Sequence, residues 1–168
     1  MSADSPTSGK QNTKLAEQMR LAMRRMAATV SVISSIDEQD RIQAMTATSV
    51  VSLSLEPPAL LACVNQWAAV HEPLTAGRAF CVNILSRNQQ VIAQQCSRGR
   101  KYRDHLSADR WQSGPGGIPY LQDAQANLFC HCDKSICYAT HTIFIGRVEH
   151  VQVHGDVNPL IYLNGKYL

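Results

Sequence analysis

Apolar and polar positions alternate most clearly between Met45 and Leu55. One parity of this stretch is apolar except at Ser49, and the other carries hydroxyl side chains except at Val50. A period of two predicts a strand with one face in the core and one face outside it. Two prolines then end the strand, because proline has no N–H to donate to a ladder.

The continuous apolar run from Ala59 to Val64 predicts a second strand, buried on both faces. The pair places a row of hydroxyl side chains beside the polar end of the second strand, Cys63 to Gln66. Small side chains there let a flat ligand reach backbone N–H and C=O groups. An ordinary antiparallel pair with Ser and Thr facing water explains the pattern equally well, and the pattern alone leaves both interpretations open.

The rest of the chain predicts more strands than helices. Residues 1–13 are polar and predict a disordered leader, which leaves 14–168 as a single domain. Helical spacing of Leu15, Met19 and Met23 predicts an amphipathic first helix whose methionine stripe packs into the core. Further strands are predicted over 29–36, 79–85, 126–136 and 140–153 and in the closing LIYLNGKYL, with short helices over 71–77 and, after a Ser86–Gln89 capping box, over 87–95. We therefore predict a mainly β fold, a Greek-key barrel with capping helices rather than a parallel βαβ sheet.

Composition narrows the class of protein. A content of 45% hydrophobic and 17% charged residues is typical of a soluble globular domain. The net charge of +3 is too small to indicate a nucleic-acid partner. The polar start lacks an apolar signal core, and no apolar run is long enough for a membrane span, so we expect a cytoplasmic protein without a membrane partner. The cysteines fall largely in apolar runs and predict buried free thiols rather than a disulfide framework: Cys63, Cys81, Cys96, Cys130, Cys132 and Cys137.

Familiar nucleotide and metal motifs are missing. The sequence has neither GxGxxG after a strand nor GxxxxGK[ST], so any nucleotide must be held by other means. Cys130 and Cys132 form the only short cysteine pair, whereas zinc sites usually combine two such pairs. We therefore expect no metal site and interpret these cysteines as packing residues.

Two other features allow more than one interpretation. His141 stands at the start of a long apolar strand, where its imidazole can be accessible or can simply hydrogen-bond at the strand end. The segment SRGRKYRD holds four cations, among them Lys101 and Arg103. A solvated loop, an RNA-contacting patch and a phosphate clamp each account for this cluster.

Six segments in series resemble the small flavin reductase family, the reductase components of two-component flavin-dependent monooxygenases. The resemblance covers most of residues 20–167. The segments are RLAMRRMAATVSVISS, AMTATSVVSLSLEPPALLACVN, AFCVNILS, RWQSGPGGIPYL, ATHTIFIGRV and PLIYLNGKY.

The resemblance implies a split β-barrel with Greek-key topology, a homodimer, and FMN or FAD bound without a Rossmann fold. It implies hydride transfer from NADH or NADPH to the flavin, and delivery of reduced flavin to a partner monooxygenase. His141 matches the family's nicotinamide-side histidine and is our candidate catalytic residue, with Tyr167 near the same pocket. The implied flavin-binding residues are Met45, Thr46, Ala47, Thr48, Ser49, Cys63, Val64, Asn65, Gln66, Trp67, Ala69 and Asn83, with Lys101 and Arg103 as candidates for the phosphate.

The chain departs from the family pattern in two places. The turn from Gln66 to Ala69 carries no hydroxyl, where relatives commonly have Ser or Thr. His105-Leu106 stands where an Arg-aromatic pair is usual. Both changes predict a weak grip on phosphate, which suits a flavin that is released as product, or stacking by Trp67 in its place. A non-catalytic flavin-binding or redox-sensing protein, and a small RNA-binding barrel, are the alternatives.

Overall fold

A computed structural model of the chain describes residues 7–98 and 110–168, with side chains from residue 12 onward. Within these ranges there are three α-helices: α1 (Thr7–Met23), α2 (His71–Thr75) and α3 (Gln90–Cys96). Twelve strands make up most of the rest, so the mainly β prediction is confirmed. They are β1 (Ala28–Thr29), β2 (Ser31–Ile36), β3 (Ile42–Ala47), β4 (Val50–Leu55), β5 (Pro58–Asn65), β6 (Phe80–Ile84), β7 (Trp111–Ser113), β8 (Pro119–Leu121), β9 (Ala126–Tyr138), β10 (His141–Val153), β11 (Ile161–Leu163) and β12 (Lys166–Tyr167).

Seven strands form one antiparallel sheet in the order β3-β2-β6-β9-β10-β5-β4. The two edge strands, β3 and β4, are consecutive in the chain, and only Thr48 and Ser49 separate them. The sheet curls round a single apolar cluster that includes Ile33, Phe80 and Phe144. Among the described residues no ladder joins β3 to β4, so the curled sheet is split at that seam.

The prediction of a single strand from Met45 to Leu55 is wrong, because this stretch forms two strands that belong to different ladders. β3 pairs with β2, whereas β4 pairs with β5. The chain changes its partner strand at Thr48 and Ser49. The apolar–polar alternation breaks at nearly the same place, at Ser49 and Val50. In β4 the side chains of Val51 and Leu55 are exposed rather than in the core.

A second apolar cluster lies on the other side of the sheet. Val32 and Leu85 pack there against Ile92 of α3, Trp111 of β7 and Leu160. The capping box at Ser86 and Gln89 forms as predicted, and its 3₁₀ turn leads directly into α3. The β7–β8 hairpin was not predicted, since its strands are only three residues long and carry no clear alternation.

The first helix differs from its prediction in length and burial. It begins at Thr7, within the predicted leader, whose Lys and Gln residues are good helix formers; residues 1–6 lie outside the described residues. Its stripe is not core: Leu15, Met19 and Met23 are each about half exposed or more. The spacing of apolar residues predicted the helix correctly, but spacing alone does not say whether the apolar face packs into the core. No helix among the described residues is long and apolar enough to cross a bilayer.

Gly146 shows how closely the β10 strand approaches its neighbours. A Cβ added at this position would lie 2.5 Å from Cζ of Phe80 and 3.2 Å from Cβ of Cys130. The β9–β10 register also shifts between Ile145 and Gly146, because Asp133 of β9 is left without a partner in β10. A glycine at position 146 therefore lets Phe80 and Cys130 pack directly against the β10 backbone.

Candidate active site at the seam of the sheet

The bend at Thr48 and Ser49 is fixed to the end of β5 by two hydrogen bonds. The Cys63 N–H donates to the Ser49 carbonyl at 3.1 Å, and the Ser49 hydroxyl donates to the Cys63 carbonyl at 3.0 Å. Ser49, which lies outside the predicted hydroxyl row, is therefore the residue that contacts Cys63, whereas Ser52 and Ser54 of the row pair with Leu60 and Ala59. The ladders stop at Ala47 and resume at Val50, so the N–H groups of Thr48 and Ser49 lie outside both ladders.

The turn after β5 is built from backbone bonds. The Gln66 N–H donates to the Thr140 carbonyl, and the Asn65 side chain accepts from the Trp67 N–H at 2.9 Å. The bond to Thr140 holds the turn against the β9–β10 hairpin, and the bond to Asn65 lies within the turn. The Trp67 side chain is 79% exposed, so its indole is available to a ligand rather than packed into either core.

His141 lies beside this turn, on the outer face of the sheet. It pairs with Asn65 of β5 on one side and with Tyr138 of β9 on the other. The Thr140 hydroxyl lies 2.9 Å from Nδ1 of His141, so Nε2 is the ring nitrogen left for a ligand. The residue is exposed and also hydrogen-bonds at the strand end, so the structure shows both of the features that the sequence allowed for this imidazole.

A family model described as a flavin reductase like domain matches residues 23–168 of this chain. The chain belongs to the flavin reductase-like family. The reductase component of the FADH(2)-dependent resorcinol hydroxylase of Rhizobium sp. (strain MTP-10005) is 36% identical to it over 152 residues, which are 90% of this chain and 85% of the relative. The FMN reductase (NADH) RutF of Variovorax paradoxus (strain S110) is 30% identical, over 88% of this chain and 82% of the relative. The resemblance of the six segments is therefore confirmed.

Solved structures of flavin reductases share the fold. The NADH:FAD oxidoreductase SgcE6 of Streptomyces globisporus C-1027, in complex with NAD and FAD fragments, superposes with a TM-score of 0.83 at 25% identity, covering 100% of this chain and 96% of its own. BorF, the flavin reductase component of a bacterial two-component tryptophan halogenase, gives 0.81 at 30% identity over 91% and 96%. This family member therefore has the split-barrel fold that the resemblance implied.

Several residues implied for the flavin site have side chains in the cores. Ala47, Val64 and Ala69 are buried, and Met45 packs against the inner cluster. For Ala47, Val64 and Ala69, the backbone rather than the side chain is therefore available to a ligand. The Thr46 hydroxyl donates to the carbonyl of Ala93 in α3 at 2.6 Å, so this hydroxyl fastens the edge strand to the helix.

Asn83 is implied as a flavin-binding residue by the resemblance, and the structure shows a structural role for its side chain. Its side chain is fully buried and all its polar capacity is used within the fold. Nδ2 donates to the Val32 carbonyl at 2.9 Å and to the Ser34 hydroxyl at 3.0 Å. Oδ1 accepts from the Leu121 N–H at 2.8 Å and from Asn127 at 2.9 Å. Asn83 thus connects the sheet to the β7–β8 hairpin.

The remaining candidates are not brought to His141 by the described contacts. Tyr167 packs against the second apolar cluster, with its ring centre 5.1 Å from that of Tyr162. Burial, with Tyr162 and Cys96 nearby, raises the pKa of the Tyr167 hydroxyl. Lys101 and Arg103 lie outside the described residues, as do His105 and Leu106. No pattern in the sequence indicated Thr140 as the hydrogen-bond partner of His141.

The six cysteines are all free thiols, and three of them, Cys81, Cys96 and Cys130, are fully buried. Burial raises the pKa of Cys81, and it raises the pKa of Cys96 to about 12. Burial, with Glu149 nearby, raises the pKa of Cys130 to about 12 as well. Among the described residues, no group of three or more His, Cys, Asp or Glu side chains is arranged to hold a metal ion.

The assignment of Asn83 can be checked by substitution. We expect Asn83→Ala to lower the free energy of unfolding by about 2 to 4 kcal/mol, because it leaves buried partners on β2 and β8 without their hydrogen bonds. Urea unfolding measures this, with the exposed Asn88→Ala as the matched control. A variant that kept its stability but lost flavin affinity would return Asn83 to the binding site.

Proposed function

We propose that this chain transfers hydride from NADH or NADPH to FMN or FAD and supplies reduced flavin to a partner monooxygenase. The observation that carries the proposal is the family match over residues 23–168, together with the accessible groups at the seam. Relatives named as reductases include one named for FMN and one named for FAD, so both flavins are candidates. A cytoplasmic location remains a prediction.

The groups at the seam fit a flat heteroaromatic ring. Thr48 and Ser49 are exposed and small, and their N–H groups point to no ladder partner, so they can donate to ring carbonyl and nitrogen acceptors. Trp67 offers an exposed aromatic face in the turn that follows β5. The turn from Gln66 to Ala69 supplies no hydroxyl for a phosphate, which supports loose binding of a flavin that leaves as product.

The chemistry comes from the substrates, because a flavin accepts hydride at N5 from C4 of a nicotinamide when the two rings are stacked. The chain's own task is to orient the two rings and to exclude other arrangements of them. The backbone at Thr48 and Ser49 would hold one ring at the seam, and Trp67 would limit its movement. Nε2 of His141 would donate to or accept from the nicotinamide side, with Thr140 holding the imidazole through Nδ1.

The two alternatives differ in what supports them. A non-catalytic flavin-binding protein of the same fold remains compatible with the missing hydroxyls at 66–69. The RNA-binding alternative rested on cations of which Lys101 and Arg103 lie outside the described residues, and the family match gives it no support.

The test of the proposal is a steady-state assay that crosses FMN and FAD with NADH and NADPH. We expect oxidation of at least one nicotinamide only when free flavin is supplied, because the turn from Gln66 to Ala69 has no hydroxyl with which to hold a phosphate. Absorbance at the nicotinamide band measures the rate, and anaerobic bleaching of the flavin band confirms where the hydride goes. A protein that binds flavin but stays inert with every pair is the non-catalytic alternative.

The role proposed for His141 predicts a selective loss. His141→Ala should lower kcat/KM for the nicotinamide by about 10 to 100-fold while flavin affinity changes by less than about threefold. The matched control is His154→Ala, an exposed histidine far along the chain on the loop after β10. If the His141 variant lost flavin binding as well, or unfolded, the residue would be structural.

We also propose that the chain forms a homodimer through an apolar groove. The groove has a volume of about 810 Å³ and runs along β4, with Val51, Leu55, Val151, Val153 and Val157 among its lining residues. These side chains are each about half exposed or more, and Met26, at the end of the exposed helical stripe, lines the same groove. Apolar patches of this extent on a soluble protein mark an interaction surface.

Leu55 provides a direct test of the dimer, because it is 81% exposed and its replacement should not disturb the core. We expect the parent protein to have the mass of two chains by light scattering after gel filtration. Leu55→Glu should shift it toward one chain, since a buried unpaired carboxylate opposes association. Val91→Glu, on the exposed side of α3, is the control, and equal behaviour of the two variants would contradict this interface.

A further inference from the structure

A side-chain hydrogen bond joins α2 to the start of β10, at the end of the curled sheet. Nε2 of His71 lies 2.9 Å from Oγ1 of Thr142. Thr142 is 2% exposed, and its neighbours in the sheet are Val64 and Cys137. The His71 ring also meets Phe144 edge-on, with ring centres 5.7 Å apart.

The two residues of this bond belong to the two sides of the proposed site. Thr142 follows His141 directly, and because side chains alternate along a strand, Thr142 points inward where His141 points outward. His71 begins α2, which follows the turn that carries Trp67. The bond therefore connects the turn proposed for the flavin with the strand residue that presents the nicotinamide-side histidine.

His141 needs such a connection because it is the first residue of its strand. Its pairing with Asn65 is the last of the β5–β10 ladder, and the β9–β10 turn lies immediately before it. Strand ends move more freely than strand centres. A buried hydroxyl held by a ring on another element limits the rotation of the strand at Thr142, and so limits the position of the next side chain.

We infer that His71 and Thr142 form a positioning pair for His141, and this inference rests on the proposed function. Neither residue need touch a substrate. Two other contacts of the pair fit the same role: the Thr75 hydroxyl donates to the His71 carbonyl at 2.8 Å, and the Cys137 thiol lies 3.5 Å from the Thr142 hydroxyl. The pair is thus anchored in α2 and in both strands of the hairpin.

The test compares Thr142→Val, which keeps the volume and removes the hydroxyl, with Thr142→Ser, which keeps the hydroxyl. Each is made in the parent protein and in His141→Ala. In the parent, Thr142→Val should lower kcat/KM for the nicotinamide by about tenfold, with flavin affinity within about threefold, and Thr142→Ser should stay within about threefold of the parent. In His141→Ala, Thr142→Val should add less than about a twofold further loss.

The double-variant comparison separates positioning from a merely structural role. A structural role would lower the melting temperature and give the same loss with and without His141, and that additive result would overturn the inference. If His141→Ala alone had no effect on the nicotinamide, the role of His141 in the proposed function would be what failed.

His71→Phe repeats the experiment from the other end of the bond. Phenylalanine keeps a ring against Phe144 but has no Nε2, whereas His71→Gln retains an amide that can bond to Thr142. This pair decides the question if Thr142→Val does not fold. We expect the loss with phenylalanine and substantial recovery with glutamine, and equal activity of the two variants would overturn the inference.

Discussion

The structure depends on the two residues, Thr48 and Ser49, that join one edge of the main sheet to the other. A sheet whose edge strands are consecutive in the chain must curl until those edges meet, and the curl encloses the inner core. The ladder cannot close at this seam, because the chain changes partner there. Edge backbone groups are usually a hazard in β proteins. In this family member they coincide with the proposed binding site.

Much of the fold could be predicted because it is local. The apolar run to Val64 and the capping box at Ser86 each predicted an element from a few neighbouring residues. What failed depended on distant partners. Ser49 and Val50 broke the alternation, yet nothing in the local pattern says that a strand changes sheet neighbours there. The stripe of α1 has the spacing of a core helix, and only the tertiary structure shows it exposed.

In the candidate site, too, the contacts that depend on distant residues were not predicted. The position of His141 beside Asn65 follows from the register of β5 and β10, which no pattern in the sequence specified, and the family resemblance supplied only the role of the histidine. Asn83 shows the limit of such transfer. In the sequence, Asn83 resembles a binding residue because its segment matches one near the family's flavin. Its hydrogen-bond partners Val32 and Leu121, however, lie about 40 to 50 positions away along the chain. Sequence spacing gives no access to contacts of that kind.

The buried cysteines have a chemical consequence for a protein that handles reduced flavin in air. Peroxide forms when free reduced flavin meets oxygen, and peroxide attacks thiolates rather than thiols. With a pKa of about 12, Cys96 and Cys130 have only about one thiolate in 10⁵ at pH 7. Packing these sulfur atoms into the cores therefore also protects them from oxidation by a by-product of the proposed turnover.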